Sequence, residues 1–222
     1  MVVLATKLYI SGDARDRALD SLRSLVNNDI GDLDVEFEIG IRHDDFPSVT
    51  IEGPDAVAAR NVLAEEWGQI TDSFEEGEIY VGTLEGWNDD GFVLDAGREI
   101  QIPAEHIDLG RGSPQQVRER FGLVQHMPLR FVYDESSPRL ADEEIDRLYE
   151  WTRGDGRVNV NSATRAEVRA TVNRAGHAQD IITVERLGLL EQSIVCPEST
   201  DPPGLLSSIG SYLPSELRAV VP

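Results

Sequence analysis

Cysteine and lysine are almost missing from this chain of 222 residues. Cys196 is the only cysteine, which excludes an intrachain disulfide and a zinc site built from several cysteines. Lys7 is the only lysine, so 19 of the 20 basic side chains are arginines. No apolar stretch approaches the roughly 20 residues needed to span a bilayer, and no basic segment precedes the apolar residues at the start. We therefore expect a cytoplasmic protein that does not enter the membrane.

Acidic residues are in large excess, with 41 carboxylates and a formal net charge of −21. They are spread over the whole chain and do not form an acidic tail, as an acidic partner-binding segment would. Such a composition is typical of proteins that stay hydrated in molar salt, and it indicates a salt-adapted source. Because molar salt shortens the Debye length to roughly 3 Å, the net charge does not exclude RNA as a partner.

The residue patterns of common enzyme sites are missing as well. The chain has no glycine-rich phosphate loop and no pair of histidines at metal-binding spacing. The run His43-Asp44-Asp45 could chelate a cation, but it is more typical of a solvated acidic turn. We expect no enzyme activity, no metal and no small-molecule cofactor.

The order of apolar patterns predicts an α+β protein in four parts. The spacing of apolar residues over residues 1–75 predicts a βαββα domain, whose first strand covers residues 2–10. Residues 76–134 predict a small barrel and residues 135–156 a helical linker. Residues 157–222 predict a ferredoxin-like βαββαβ domain.

The barrel prediction depends on glycines at fixed places. The segment 77–87 reads Gly-Glu-Ile-Tyr-Val-Gly-Thr-Leu-Glu-Gly-Trp, and Asp90-Gly91 then marks a hairpin before the run 92–97, which ends in glycine. This pattern resembles the S1 family, which has an OB-fold barrel. The resemblance implies a five-stranded barrel that binds single-stranded RNA on the face of its second and third strands.

The resemblance implies RNA-binding roles for Trp87 and Phe92, which lie on the matching strands. The sequence departs from the family where Asp89 or Asp90 replaces an aromatic residue and where Pro103 replaces a histidine. His106, three residues further on, is a candidate to replace that histidine. Trp87 and Phe92 could equally pack the core of the barrel.

Over its full length the chain resembles an uncharacterised conserved archaeal protein family, found in haloarchaea, with a central S1-like domain. The similar segments are residues 120–126, 148–154 and 158–165. This resemblance implies the domain layout and supplies no catalytic residues.

Arginines are concentrated in one part of the chain. Residues 111–186 hold 12 basic and 12 acidic side chains, whereas residues 1–77 hold 6 and 17. Arginine suits both bidentate phosphate contacts and stacking on bases. The candidate phosphate contacts are Arg118, Arg120, Arg130, Arg165, Arg169 and Arg174. Surface ion pairs are the alternative for these side chains.

We therefore expect a non-catalytic RNA-binding protein that acts with the translation or RNA-processing machinery. The alternative is a protein–protein adaptor that docks on the ribosome or RNA polymerase, and a third possibility is a small-molecule sensor. RNA binding requires arginines exposed together, whereas an adaptor requires an exposed apolar patch.

Overall fold

The computed structural model describes all residues from Met1 to Pro222. Its strands form three antiparallel sheets, and α-helices pack on them. The expected α+β class is therefore confirmed.

The first sheet has the strand order β1-β3-β2. Its unit consists of β1 (Val2–Val3), α1 (Asp13–Ile30), β2 (Glu36–Ile41), β3 (Pro47–Glu52) and α2 (Ala56–Trp67). The first strand is shorter than predicted, because the backbone after Val3 forms hydrogen bonds with loops. Leu4 forms an isolated bridge with Gln69, and the Leu8 amide donates to the Asp45 carbonyl oxygen. Alternating apolar residues alone could not distinguish this extended segment from a strand.

The second sheet has five strands in the order β6-β5-β4-β7-β8. Its unit consists of β4 (Ile79–Asn88), β5 (Gly91–Asp95), β6 (Glu99–Pro103), α3 (Pro114–Arg120), β7 (Pro128–Val132), β8 (Arg139–Leu140) and α4 (Asp142–Trp151). The sheet curls, so that its edge strands β6 and β8 come into contact. The stretch predicted as a linker contributes β8 and α4, and Leu148 and Trp151 pack in the core of this sheet.

Helix α3 was not predicted, although its sequence carries a local signal. Ser113 caps this helix by accepting a hydrogen bond from the Gln116 amide, and the Gln116 side chain accepts from the Ser113 amide. Together with Pro114 at the first helical position, these residues form a capping box that marks a helix start.

The third sheet has the strand order β10-β11-β9-β12. Its unit consists of β9 (Arg157–Val160), α5 (Arg165–Arg174), β10 (Thr183–Arg186), β11 (Gln192–Val195), α6 (Pro202–Ile209) and β12 (Leu217–Val220). Thr164, and not the nearby Ser162, caps α5 in a capping box with Glu167. Ser162 instead has a positive φ of 59°.

Some apolar residues of the C-terminal unit pack in the cores of the other two units. Val220 of β12 belongs to the apolar cluster of the middle sheet. Leu189 and Leu190, just before β11, belong to the cluster of the N-terminal sheet. Apolar burial therefore crosses the boundaries between the three units.

Lys7 joins the N-terminal unit to the middle sheet. Its ammonium nitrogen lies 2.7 Å from Asp95 Oδ2 and 3.1 Å from Glu85 Oε1, and the residue is 8% exposed. Burial would lower the pKa of Lys7, but the bonds and charges of Asp95 and Glu85 outweigh it and raise this pKa. Burial also opposes ionisation of Glu85, yet His126, Thr83 and Lys7 lower its pKa to about 2.

Tyr9 joins the N-terminal unit to the C-terminal one. Its hydroxyl donates to Glu191 Oε1 over 2.7 Å and accepts from the Ser162 amide over 2.8 Å. Its ring stacks on His126 of the middle unit, with centroids 3.9 Å apart. Glu191 is fully buried, and burial raises its pKa to about 8, although the Tyr9 hydrogen bond opposes that shift.

Replacing Lys7 by methionine leaves Glu85 and Asp95 without their shared cation. We expect Lys7→Met to lower the free energy of unfolding by about 2 kcal/mol, below the ~3–5 kcal/mol of fully buried pairs because both carboxylates are partly exposed. Urea unfolding measures this loss. Arg23→Met is the matched control, since Arg23 pairs only with exposed Asp20 on the same helix. Equal stabilities of the two variants would contradict a joint at Lys7.

Replacing Glu191 by glutamine should change how stability depends on pH. The pKa of Glu191 is above its ordinary value of 4.5 in the folded state, so the folded protein binds more protons between these values and loses stability as pH rises from about 4.5 to about 8. Glu191→Gln removes this loss, and we expect it to stabilise the protein relative to the parent by roughly 2–4 kcal/mol more at pH 9 than at pH 4. Urea unfolding across this range measures the difference. Glu143 is exposed, so the free energy of unfolding of Glu143→Gln should change with pH as that of the parent does. The same pH dependence for Glu191→Gln as for the parent would refute the argument.

Candidate nucleic-acid interface

The predicted stacking residues Trp87 and Phe92 lie on the inner face of the curled sheet. A β-bulge between Leu84 and Gly86 adds one residue to β4, so that Trp87 pairs with Phe92 and shares its face. Phe92 is fully buried in the middle core. The guanidinium of Arg118 covers the Trp87 ring, 3.5 Å from its centroid. Phe92 is therefore closed to a nucleobase, whereas Trp87 is half-buried and has one ring face covered by Arg118.

The outward face of β5 and β6 carries no aromatic side chain. Alternation along these strands places Val93, Asp95, Glu99 and Gln101 on that side. The N-terminal unit packs against part of it through the Lys7–Asp95 ion pair. This surface is acidic and partly covered, so it does not form the stacking platform that the S1 resemblance implies.

His106 ends a short 3₁₀ turn, Ala104–His106, that follows β6. Its Nδ1 lies 2.8 Å from Ser137 Oγ, which ties the turn to the loop between β7 and β8. Its hydrogen bonds and ring contacts involve no other predicted RNA-binding residue. The structure therefore gives His106 a structural contact.

Arg118 is buried where the middle and C-terminal units meet and does not lie on the surface. It is 1% exposed, forms an ion pair with Glu216 ahead of β12, and stacks on Trp87. Glu216 Oε2 also accepts from the Gln125 amide over 2.9 Å. Burial opposes ionisation of Glu216, but the Gln125 amide and Arg118 outweigh it and lower the pKa of this carboxyl. As a phosphate contact Arg118 is therefore ruled out in this conformation.

Arg120 and Arg130 are exposed and line different cavities. Arg120 donates to the carbonyl oxygens of Leu109 and Arg111 over 2.6 and 2.9 Å. Arg130 lies 3.6 Å from Glu144 Oε2. Arg120 and Arg130 line different cavities, and Arg118 is buried. The three arginines therefore do not form one surface.

Helix α5 presents an exposed side without carboxylates. Arg165, Arg169 and Arg174, the α5 arginines, are all exposed, and none has a carboxylate oxygen within 4.0 Å. The only acidic residue of the helix is Glu167. Its Oε2 accepts from Thr164 in the capping box, and its Oε1 lies 3.0 Å from Arg17 on α1. The side of α5 that faces solvent is therefore purely cationic and neutral.

A cleft of about 840 Å³ opens where the three units meet. Three arginines reach it, Arg130 from β7, Arg147 from α4 and Arg186 from the end of β10. Arg147 donates from two nitrogens to Oε1 of buried Glu144, and Oε2 of the same carboxylate lies 3.6 Å from Arg130. Glutamates line the cleft as well, so its charge is mixed: Glu65, Glu66, Glu75 and Glu144.

Arg186 connects this cleft to helix α5. Its guanidinium stacks on Trp67, 4.0 Å from the ring centroid, and lies 3.9 Å from Glu66. Burial lowers the pKa of Arg186, Asp29 and Glu66 oppose this, and the nearby charge of Arg165 lowers it further. Its Nη1 is buried without a hydrogen-bond partner. Arg165, which is one helical turn from Arg169, therefore lies near Arg186.

Three of the predicted arginines thus lie on one helix, α5, where Arg165 and Arg169 share a face and Arg174 lies at the other end, and the other six predicted residues lie elsewhere. Sequence reasoning missed Arg147 and Arg186. The spacing of Glu144 and Arg147 signals a helical ion pair, but it does not show that this pair faces a cleft. No sequence signal places Arg186, because it meets Trp67 from a different unit.

Large apolar side chains that are exposed lie on separate segments. They are Met1, Val57, Ile79, Ile182, Tyr212 and Val221. No cluster of three or more His, Cys, Asp or Glu side chains is arranged to hold a metal ion. None of the helices combines the length and apolarity needed to cross a membrane.

Comparison with known families covers almost the whole chain. The DUF2110 N-terminal domain matches residues 1–73, the DUF2110 central domain residues 74–152, and the DUF2110 C-terminal domain residues 155–221. The chain belongs to the DUF2110 family. The expectation of one conserved family with three successive domains is thereby confirmed. No curated protein matches this DUF2110 chain.

Replacing Arg118 tests its role as a joint. Arg118→Gln removes the buried cation beside Glu216, which keeps only the partly exposed Arg218, and uncovers Trp87, so we expect a loss of about 2 kcal/mol in the free energy of unfolding. Arg111→Gln removes the same charge from an exposed position and should change stability by less than about 0.5 kcal/mol. Urea unfolding of both variants measures the difference. A stable Arg118→Gln variant would show that this ion pair is not needed.

Proposed function

We propose that this protein binds RNA without catalysing a reaction, and that the α5 arginines are its main contact. The supporting observation is the exposed side of α5, which carries three arginines and no carboxylate in a protein with 41 acidic residues. Ion pairing would be the ordinary state of an arginine on so acidic a surface. Three guanidinium groups without a carboxylate partner on one helix instead favour an external anion.

Arg186 extends this contact toward the cleft. Arg165 and Arg169 are one helical turn apart, and Arg186 lies on the Arg165 side. A flexible anion with several phosphates can follow such a row, whereas a single small anion needs only one of its members. The mixed charge of the cleft favours contact at its Arg186 end.

The strand orders support the finer fold assignments as part of this proposal. In the middle sheet, the order β6-β5-β4-β7-β8 with contact between β6 and β8 fits a five-stranded OB barrel. In the third sheet, β9 and β11 are central and β12 and β10 are outer, which fits a ferredoxin-like domain. In this proposal the barrel acts as a support, and RNA binds beside it.

The proposal includes the cellular setting expected from composition. A cytoplasmic protein of a salt-adapted archaeal cell would meet structured and single-stranded RNA of the translation or RNA-processing machinery. Short-range contacts must supply the affinity there, because charges beyond the roughly 3 Å Debye length are screened.

Binding of host RNA to purified protein in about 2 M KCl tests the proposal. We expect saturable binding by the parent. The triple variant Arg165→Gln, Arg169→Gln and Arg174→Gln should raise the dissociation constant at least about tenfold, because even one hydrogen bond to a charged group contributes about 1.5 kcal/mol.

The matched control removes three exposed or half-exposed arginines elsewhere, by Arg23→Gln, Arg60→Gln and Arg139→Gln. It changes net charge equally and should bind RNA as the parent does. Equal weakening in both triple variants would point to bulk charge and refute the α5 site. No binding by the parent would refute the RNA-binding function.

A further inference from the structure

A second, smaller pocket of about 390 Å³ lies beside the ends of α3 and α4. Arg120, Phe121, Tyr149 and Thr152 are among its lining residues, and none of the residues that line it is acidic. Acidic residues are twice as numerous as basic ones in the chain, so a cavity without them favours an anionic ligand. Its size falls in the range of roughly 300–1,000 Å³ that small-molecule sites occupy.

Arg120 enters this pocket in a fixed orientation. Its Nη2 donates to the Leu109 carbonyl oxygen and its Nη1 to that of Arg111, so the loop holds the guanidinium from one side. A guanidinium has five N–H groups, and about three remain for a ligand. Because no carboxylate lies within 4.0 Å of Arg120, these donors are not neutralised by the protein. Such a planar, oriented fork suits a phosphate group.

Tyr149 supplies an aromatic surface in the same pocket. Its ring packs edge-to-face on buried Phe121, with centroids 5.3 Å apart and an angle of 87° between the rings. The half-buried Tyr149 has no hydrogen-bond partner for its hydroxyl. Gly110, at φ +80°, keeps the entrance open, since a Cβ there would lie 3.4 Å from that hydroxyl oxygen. A rigidly held ring next to a phosphate-binding fork fits a ligand that has both a planar ring and a phosphate.

Arg153 adds a second cation over the Tyr149 ring. Its guanidinium carbon lies 5.2 Å from the Tyr149 ring centroid, and the side chain is exposed and has no carboxylate oxygen within 4.0 Å. Arg120 lines the pocket beside Tyr149, and Arg153 contacts the Tyr149 ring without lining the pocket itself. A ligand on Tyr149 could contact both guanidinium groups.

We propose that this pocket binds a nucleotide, with its base against Tyr149 and its phosphate held by Arg120 and Arg153. A free mononucleotide and a nucleotide within an RNA strand present the same chemistry. This site shares no residue with the α5 contact, so it goes beyond the proposed function and can be tested separately.

Calorimetric titration with AMP, adenosine and inorganic phosphate in about 2 M KCl tests the free-nucleotide source. We expect AMP to bind more tightly than either part alone. Tyr149→Leu should weaken AMP binding at least about fivefold, because stacking on an aromatic ring is lost. Tyr149→Phe keeps the ring and removes only the unpartnered hydroxyl, so it should bind as the parent does. Arg153→Gln should weaken AMP but not adenosine.

Binding of short oligoadenylates, measured in the parent and in the Tyr149 variants, tests the RNA source. If AMP does not bind, but Tyr149→Leu weakens oligoadenylate binding and Tyr149→Phe does not, the ligand is a nucleotide within RNA. The same comparison in the α5 triple variant shows whether the pocket acts without the α5 contact.

Two results would overturn the nucleotide pocket. One is the absence of binding by both AMP and oligoadenylate to the parent. The other is binding that Tyr149→Leu and Arg153→Gln leave unchanged, which would place the ligand elsewhere. Arg153 is exposed, so its variant keeps the test valid even if Tyr149→Leu unfolds the protein.

Discussion

A few buried contacts between cations and carboxylates hold the three units of this acidic protein together. Every interface between units must bring carboxylates near each other, because they outnumber the cations two to one. Lys7 compensates the negative charge of Glu85 and Asp95 where the N-terminal and middle units meet, and Arg118 compensates that of Glu216 where the middle and C-terminal units meet. The single lysine is used where a compact ammonium fits between two carboxylates. Lys7 and Arg118 are therefore buried between units and do not contribute positive charge to the surface.

The kinds of element and their order could be predicted from sequence because they depend on local signals. Alternation marked the strands, and apolar spacing marked α1, α2 and α5. The direction of Trp87 could not be predicted. Simple alternation from Leu84 places Trp87 on the opposite, outward face, but the bulge before Gly86 turns it inward to Phe92. One inserted residue thus changes a candidate stacking residue into a core residue.

The candidate site was harder to predict, because an arginine's role depends on a distant partner. Arg118 and Arg165 look alike in the sequence, since each lies in a helical, arginine-rich stretch. Arg118 meets a carboxylate 98 residues away along the chain, at Glu216, and is buried by it. Arg165 meets none, because the nearby Glu167 is occupied by Thr164 and Arg17. Local spacing placed Arg165 and Arg169 on one face, whereas only tertiary packing could exclude Arg118.

High salt explains why arginines without neighbouring carboxylates matter more than total charge. A Debye length of roughly 3 Å removes long-range repulsion between RNA and the acidic surface, and it equally removes long-range attraction. Carboxylates in direct contact with a phosphate still repel it, since screening acts little at such distances. An anion site in this protein therefore needs a local surface free of carboxylates, and donors of fixed geometry strengthen it. The exposed side of α5 and the pocket at Tyr149 both have such a surface, and Arg120, held by two backbone carbonyls, supplies donors of fixed geometry.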